Sequence, residues 1–164
     1  MSISQMKISK VYVDMDGVLC DFEKRYKERY GEIDDRNRRS TFRPNFTDFI
    51  ETEQFATLEI MKDANVLIRY LNTLDIPKEI LSSTAYEETY DTISKQKKQW
   101  LSDHGIGWTA NFVPGKRHKY KFATPDSIII DDTYSVIEDW KKAGGIAIWH
   151  KDALSTINQL HMYV

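Results

Sequence analysis

Residues 11–21 constrain this chain more than any other stretch, because a short apolar segment ends there in two aspartates. Asp14 and Asp16 lie one residue apart and are followed by Gly17. Residues i and i+2 of an extended segment point to the same side, so a strand that ends here holds the two carboxylates side by side. Two like charges this close repel each other, and their burial is costly without a cation. The segment therefore predicts a cation-binding strand end, and the alternative is a strand followed by an ordinary Asp-Gly turn.

Short apolar strands alternate with helices along the sequence. The patterns predict strands at residues 8–13, 80–84, 112–113, 127–132 and 146–149, and helices at 21–30, 64–74, 86–104, 135–143 and 153–160. Three consecutive isoleucines in the fourth strand indicate burial on both faces, as in a parallel sheet. The predicted fold class is therefore α/β, with a parallel sheet covered by helices on both faces.

The composition fits one globular domain. The chain has 164 residues, of which 41% are hydrophobic and 29% are charged, with a formal net charge of -2. This charge gives no general tendency to bind nucleic acid or a membrane surface, although it leaves room for a local basic patch. A single cysteine, Cys20, excludes an internal disulfide framework. A polar N-terminus and the lack of an apolar run near the roughly 18 residues of a membrane span favour a cytoplasmic protein without a membrane segment.

Polar side chains follow the predicted strands one after another. Asp14 and Asp16 follow the first strand, two serines the second, a basic run the third and two aspartates the fourth. Ligands of such sheets bind at the carboxyl ends of the strands, at the point where the strand order reverses. Carboxylate oxygens hold Mg²⁺, while hydroxyls and lysine hold phosphate oxygens. A carboxylate can also attack phosphorus and form an aspartyl-phosphate.

The order of these motifs resembles the haloacid dehalogenase-like (HAD) phosphohydrolase superfamily. The motif Asp14-Met15-Asp16-Gly17-Val18-Leu19 comes first, then serine, lysine and an Asp-Asp pair. The resemblance covers residues 8–150. It implies a single HAD-type Rossmann-like domain over residues 1–164, with a small helical cap inserted at about residues 23–74.

The resemblance implies a role for each motif residue. Asp14 is the nucleophile and a magnesium ligand. Asp16 is the general acid and then the general base, and its backbone carbonyl is also a metal ligand. Asp131 is the acidic metal ligand after the fourth strand, supported by Asp132. The phosphoryl group is bound by Ser82, Ser83 and Lys119. Because a leaving alkoxide needs a proton and a halide does not, the acid at position 16 favours phosphate esters.

Several alternatives stay open in the sequence. The motif lysine is Lys119 or one of its neighbours Lys116 and Lys121. Asp132 either supports the metal ligand Asp131 or caps the following helix. Within the superfamily the chain resembles the 5'(3')-deoxyribonucleotidase group and its phage and bacterial relatives, so a nucleoside monophosphate is the expected substrate. It departs from that group in having serine where threonine is usual.

Other functions compete with the nucleotidase. One alternative is a phosphatase for sugar phosphates or for nucleic-acid 3' or 5' ends, the latter favoured by the basic run at 116–121. An alternative of another class is a catalytically silent HAD-fold binding or scaffold protein. The sequence is compatible with either a monomer or a homodimer.

No motif identifies the residues of the predicted cap that would contact a substrate. Its aromatic residues either stack a base or form the core of the cap: Phe22, Tyr26, Phe42, Phe46, Phe49 and Phe55. Its arginines either attract an anionic substrate or belong to a solvated loop: Arg36, Arg38, Arg39 and Arg43.

Overall fold

A five-stranded sheet forms the centre of the protein. The computed structural model describes residues 7–32 and 42–164. The strands are β1 Lys10–Val13, β2 Lys78–Ser83, β3 Thr109–Val113, β4 Ser127–Asp131 and β5 Ile146–Trp149. They lie in the order β3-β2-β1-β4-β5, and every neighbouring pair is parallel. The predicted α/β class with a parallel sheet is confirmed.

Six α-helices accompany the sheet within the described residues. They are α1 Phe22–Tyr30, α2 Arg43–Glu51, α3 Ala64–Thr73, α4 Tyr90–Asp103, α5 Tyr134–Lys142 and α6 Ala153–Leu160. Two 3-10 helices, Gln54–Thr57 and Lys116–Phe122, complete the structure. None of the helices in the described ranges has the length and apolar character that a membrane span requires.

Side chains of the strands alternate between two cores, one on each face of the sheet. In β4, Ile128 and Ile130 contribute to the core with α3, α4 and α6, whereas Ile129 contributes to the core with α5. All three isoleucines are fully buried. Burial on both faces, predicted from the isoleucine run, is thus confirmed, and helices cover both sides of the sheet.

The strand order reverses beside β1. β1 pairs with β2 on one side and with β4 on the other, so that Val13 lies opposite both Ile80 and Ile130. The crevice at this switch point is where open parallel sheets bind their ligands. The residues that directly follow β1 and β4 therefore face the same crevice.

A segment of the chain leaves the sheet after β1 and returns before α3. Its two ends run side by side, because the Asp21 N–H donates to the Glu59 carbonyl at 2.8 Å and the Met61 N–H donates to the Leu19 carbonyl at 2.7 Å. Beyond this segment, α3 packs against α6 and belongs to the core under the sheet. We therefore propose that the cap covers residues 22–58, a range narrower than 23–74, and we refer to residues 22–58 as the cap segment.

Helix α4 holds the cap segment against the sheet layer. The side-chain amide of Gln96 accepts from the Phe55 N–H at 3.1 Å and donates to the Ile50 carbonyl at 2.8 Å. The Trp100 indole donates to the Leu58 carbonyl at 2.7 Å. These three bonds are buried, so they fix residues 50–58 of the cap segment against α4.

One predicted helix boundary beside the cap segment needs adjustment. Within the cap segment, Pro44 stands in the first turn of α2, where its missing N–H costs nothing. α4 begins at Tyr90 rather than Tyr86, after a turn in which Ala85 has a φ of 68°. The predicted substrate-attracting arginines Arg36, Arg38 and Arg39 lie outside the described residues.

Candidate active site

A buried lysine joins the ends of β1 and β4. The Lys119 ammonium donates to Asp14 Oδ1 at 2.8 Å and to Asp131 Oδ2 at 2.7 Å. All three side chains are buried. Burial works against the charge of Lys119, but the carboxylates of Asp131 and Asp14 outweigh it and raise the pKa of Lys119. The lysine is therefore a permanent cation between two acidic residues.

The structure distinguishes Lys119 from its two neighbours in the basic run. Residues 116–122 form a 3-10 helix, which turns Lys119 inward and leaves Lys116 and Lys121 exposed. Lys121 instead lies 3.2 Å from His118 Nδ1 at the surface. Of the three lysines, Lys119 is the one that contacts the predicted carboxylates.

Three carboxylates form an acidic group at the switch point. Oxygen atoms of Asp14, Asp131 and Asp132 all lie within 4.8 Å of one another. Burial and the nearby Asp14 raise the pKa of Asp131 to about 6, although Lys119 acts in the opposite direction. Burial and the other two carboxylates raise the pKa of Asp132 to about 7, even though part of its side chain is exposed to the cavity. This excess of negative charge favours the binding of a cation.

Gly17 makes room for the third carboxylate. It has a φ of +83°, a conformation that glycine adopts at little cost. A Cβ atom on Gly17 would lie 2.0 Å from Asp132 Oδ2. The glycine of the first motif therefore serves two purposes, since it allows the turn and the close approach of Asp132.

The carboxylate of Asp16 pairs with a second lysine and does not belong to the acidic group. The loop after β1 is tight, because three successive N–H groups, those of residues 18–20, donate to the Met15 carbonyl. Asp16 Oδ2 accepts from the ammonium of Lys97 at 2.9 Å, and Asp16 Oδ1 is shielded from solvent with no hydrogen-bond partner among the described residues. The metal contact predicted for the Asp16 backbone carbonyl stays a prediction.

Lys97 contacts the predicted site residues, although no sequence motif pointed to it. It lies on α4, is almost completely buried, and also donates to Ser82 Oγ at 2.7 Å and to the Ser83 carbonyl at 2.8 Å. The signal was present in the helix pattern, because Lys97 follows Ile93 by four residues and precedes Trp100 by three. A charged residue on an apolar helical stripe indicates a buried partner.

The two predicted phosphate-binding serines lie at different depths. Ser82 is fully buried and accepts from Lys97, whereas Ser83 lines the cavity above the acidic group. The Ser83 hydroxyl accepts from the Ala85 N–H at 3.0 Å, so its own proton is free for another acceptor. Phosphate binding by either serine stays a prediction.

A cavity of about 690 Å³ opens over the acidic group. Four aromatic residues of the cap segment line it, namely Phe22, Phe42, Phe46 and Phe55. Tyr26 and Phe49 do not line it and are buried in the core. All six of these aromatic residues thus pack together in the cap segment, and four of them also form part of the cavity wall.

The opposite rim of the cavity is basic. Lys116 and Arg117, both exposed, line it beside Gly115. Tyr86 also lines the cavity, and the Arg43 guanidinium lies 5.1 Å from the centre of its ring. Arg43 is thus the one predicted cap arginine whose position the structure describes.

Comparison with known proteins gives matches in structure and none in sequence. No protein-family model matches the chain, and no curated protein matches it. A hydrolase from Streptococcus pneumoniae TIGR4 is 18% identical with a TM-score of 0.55, over 95% of this chain and 100% of that chain. A HAD-hydrolase from Bacillus subtilis bound to magnesium is 12% identical with a TM-score of 0.53, over 87% of this chain and 86% of that chain. A D,D-heptose 1,7-bisphosphate phosphatase from Burkholderia thailandensis is 10% identical with a TM-score of 0.51, over 92% of this chain and 98% of that chain.

Identities this low establish a common fold and nothing finer. The chain and these proteins share a fold over most of their lengths, and in this chain that fold is a parallel sheet with helices on both of its faces. From its architecture, therefore, this chain has the fold of the haloacid dehalogenase-like hydrolases.

Proposed function

We propose that this protein is a magnesium-dependent phosphomonoesterase that works through an aspartyl-phosphate on Asp14. The observation that carries the proposal is the buried bridge of Lys119 between Asp14 and Asp131. A nucleophilic carboxylate must approach a phosphate that is itself negative, and a fixed cation beside it reduces their repulsion. Two of the structural neighbours, the heptose bisphosphate phosphatase and the magnesium-bound hydrolase, support this reaction class.

The acidic group has the composition that a magnesium site needs. Asp14, Asp131 and Asp132 supply hard oxygen donors within 4.8 Å of one another, and the cavity leaves space for water and phosphate oxygens. Mg²⁺ prefers this combination of few carboxylates, water and phosphate. When bound, the ion supplies positive charge to the phosphoryl oxygens.

The remaining steps are carried by side chains. Asp14 attacks phosphorus, and the bond from phosphorus to the leaving oxygen breaks while Asp16 gives that oxygen a proton. Lys119 and the hydroxyl of Ser82 or Ser83 stabilise the charge of the transferring group. A water molecule then attacks the phosphorus, Asp16 takes a proton from that water, and the bond to Asp14 breaks. Asp14 and Asp16 thereby return to their starting states.

We propose nucleoside monophosphates, with deoxyribonucleotides foremost, as the substrates. The four aromatic residues of the cap segment that line the cavity offer flat apolar surfaces above the acidic group. Such surfaces suit a nucleobase, because stacking on aromatic rings depends little on the identity of the base. This proposal extends the resemblance to the 5'(3')-deoxyribonucleotidase group.

A second candidate is a phosphatase that acts on nucleic-acid 3' or 5' ends. Lys116 and Arg117 on the rim of the same cavity favour it, because neighbouring phosphates of an oligonucleotide bind to such cations. Binding to oligonucleotides that weakens steeply with salt would favour this candidate over the mononucleotide.

Phosphate release in the presence of Mg²⁺ tests the proposal. The panel contains deoxy- and ribonucleoside monophosphates, sugar phosphates, and oligonucleotides with a 3' or 5' phosphate. We expect release from the nucleoside monophosphates, abolished by EDTA and by Asp14→Asn. Asp75→Asn is a matched control, because Asp75 is exposed and lies outside the cavity.

Each outcome decides between the candidates. Activity confined to sugar phosphates or oligonucleotides would keep the reaction and overturn the proposed substrate. Full activity of Asp14→Asn would overturn the assignment of Asp14 as the nucleophile. A folded wild-type protein that releases no phosphate from any member of the panel would contradict the proposed function and favour a binding or scaffold protein.

A further inference from the structure

The ammonium of Lys97 is buried with all of its donors occupied. It donates to Asp16 Oδ2 at 2.9 Å, to Ser82 Oγ at 2.7 Å and to the Ser83 carbonyl at 2.8 Å. An ammonium has three N–H donors, so the set is complete. Burial of a lysine is costly unless acceptors compensate it. This arrangement therefore fixes the Lys97 amine at one point under the site.

Lys97 reaches Asp16 from the protein side. Asp16 and Ser83 line the cavity, whereas Lys97 is 1% exposed and does not line it. A substrate in the cavity therefore contacts Asp16 and not Lys97. Any influence of Lys97 on the reaction must pass through the residues to which it donates.

The two oxygens of the Asp16 carboxylate have different surroundings. Lys97 holds Oδ2, while Oδ1 has no hydrogen-bond partner among the described residues. A carboxylate held by one oxygen keeps a fixed orientation. Lys97 thus fixes the orientation in which the Asp16 carboxylate meets a substrate in the cavity.

The position of Lys97 is itself secured by α4. Gln96, the preceding residue, binds the backbone of Ile50 and Phe55 in the cap segment. The Lys97 ammonium also lies 5.2 Å from the centre of the Phe55 ring, which lines the cavity. A cation at this distance from an aromatic ring is attracted to it. The helix therefore ties the orientation of Asp16 to one wall of the cavity.

We propose that Lys97 is a positioning residue for proton transfer by Asp16. The inference rests on the proposed phosphomonoesterase function. In the first half-reaction, Asp14 bonds to phosphorus, the bond from phosphorus to the leaving oxygen breaks, and a proton moves from the Asp16 carboxyl group to that oxygen. The carboxylate that remains faces the Lys97 ammonium, which stabilises its charge until a water molecule returns the proton in the second half-reaction. Lys97 itself gives up no proton.

A comparison of leaving groups tests this role. Alkyl phosphates such as nucleoside monophosphates need a proton on the leaving oxygen, whereas para-nitrophenolate leaves without one. In Lys97→Met we expect kcat for the alkyl substrate to fall by about 100-fold, the lower end of what a general acid contributes. With para-nitrophenyl phosphate we expect a burst of one nitrophenol per enzyme and then slow turnover, because only the second half-reaction needs Asp16. Lys95→Met, at an exposed position of the same helix, is the control.

Combination with Asp16→Asn separates positioning from a general structural effect. If Lys97 acts through Asp16, Lys97→Met causes little further loss in the Asp16→Asn background. A structural defect would instead abolish the nitrophenol burst as well and add to the loss caused by Asp16→Asn. Lys97→Gln, which is neutral and keeps two donors, replaces the methionine variant if that variant does not fold.

The outcomes distinguish a failure of the role of Lys97 from a failure of the proposed function. Wild-type kcat in the Lys97 variants would overturn the role of Lys97 and leave the proposed function intact. Loss of the nitrophenol burst together with a loss that adds to that of Asp16→Asn would have the same meaning. If the wild-type protein releases no phosphate from any substrate, the proposed function fails and the role of Lys97 fails with it.

Discussion

Substitution of Gly17 by alanine tests the acidic group without removing a carboxylate. The new Cβ would lie 2.0 Å from Asp132 Oδ2 and 2.6 Å from its Cγ, whereas real Cβ contacts essentially never fall below 3.0 Å. The Asp132 oxygen must therefore move by about 1 Å, the difference between 2.0 Å and 3.0 Å. Distances between metals and their ligands tolerate changes of only about 0.2 Å. We expect Gly17→Ala to weaken Mg²⁺ binding by about 10- to 100-fold, the range seen when groups that position metal ligands are changed.

Gly31→Ala is a matched control for backbone strain. Both glycines have a φ of +83°, but no atom of the described residues lies within 4 Å of a Cβ on Gly31. Each substitution places alanine at a φ that L residues rarely adopt, at a cost of about 1–3 kcal/mol. A change in Mg²⁺ binding that Gly17→Ala shows and Gly31→Ala does not therefore reports the displacement of Asp132.

The assay is a Mg²⁺ titration followed by thermal unfolding, in which bound ligand raises the melting temperature. We expect the concentration of Mg²⁺ that gives half of the maximal stabilisation to increase in Gly17→Ala and to stay unchanged in Gly31→Ala. An unchanged Mg²⁺ response in Gly17→Ala would refute the reasoning, because it would mean that Asp132 contributes nothing to the metal site.

Three further predictions concern stability. Lys119→Met leaves the carboxylates on both sides of the lysine without their shared cation, so the free energy of unfolding in urea without Mg²⁺ should fall by about 3–5 kcal/mol; an unchanged value would contradict the bridge. The pKa values of Asp131 and Asp132, about 6 and about 7, are raised from an ordinary value of 3.8. The folded protein therefore binds these protons more tightly than the unfolded chain. As the pH rises from about 4 through 7, the metal-free protein loses the contribution of this proton binding to its free energy of unfolding. Because Mg²⁺ replaces those protons, its effect on the melting temperature should increase over the same pH range, and a constant effect would argue against these carboxylates as ligands. Trp100→Phe removes the donor to the Leu58 carbonyl and should lower the free energy of unfolding by about 1–3 kcal/mol in the same urea assay, whereas no loss would show that this bond does not hold the cap segment.

The sequence was sufficient for the features that depend on neighbours along the chain. The pairing of Asp14 with Asp16 follows from the alternation of side chains in a strand. The burial of β4 follows from its isoleucine run, and the position of Asp131 follows from the end of that strand. Each of these inferences uses residues within a few positions of one another, where backbone geometry fixes the relation.

The choice among the three lysines needed the tertiary structure. All three belong to one basic run, and a pattern of charges does not show which side chain turns inward. The 3-10 helix places Lys119 against Asp14, which is 105 residues away in the chain, while Lys116 and Lys121 stay exposed. Such a contact depends on how the segment packs against the sheet, and sequence spacing carries no such information.

The same reason explains what else the sequence left undecided. Lys97 contacts Asp16 across 81 residues, and Gly17 makes room for Asp132, which belongs to another strand end. The aromatic residues of the cap segment look alike in sequence, yet packing places four of them along the cavity wall and leaves Tyr26 and Phe49 away from it. By itself, then, the sequence determined the α/β class and the acidic strand ends, because these follow from local periodicity. The tertiary structure decided which side chains meet, because distances between remote segments exist only after the chain has folded.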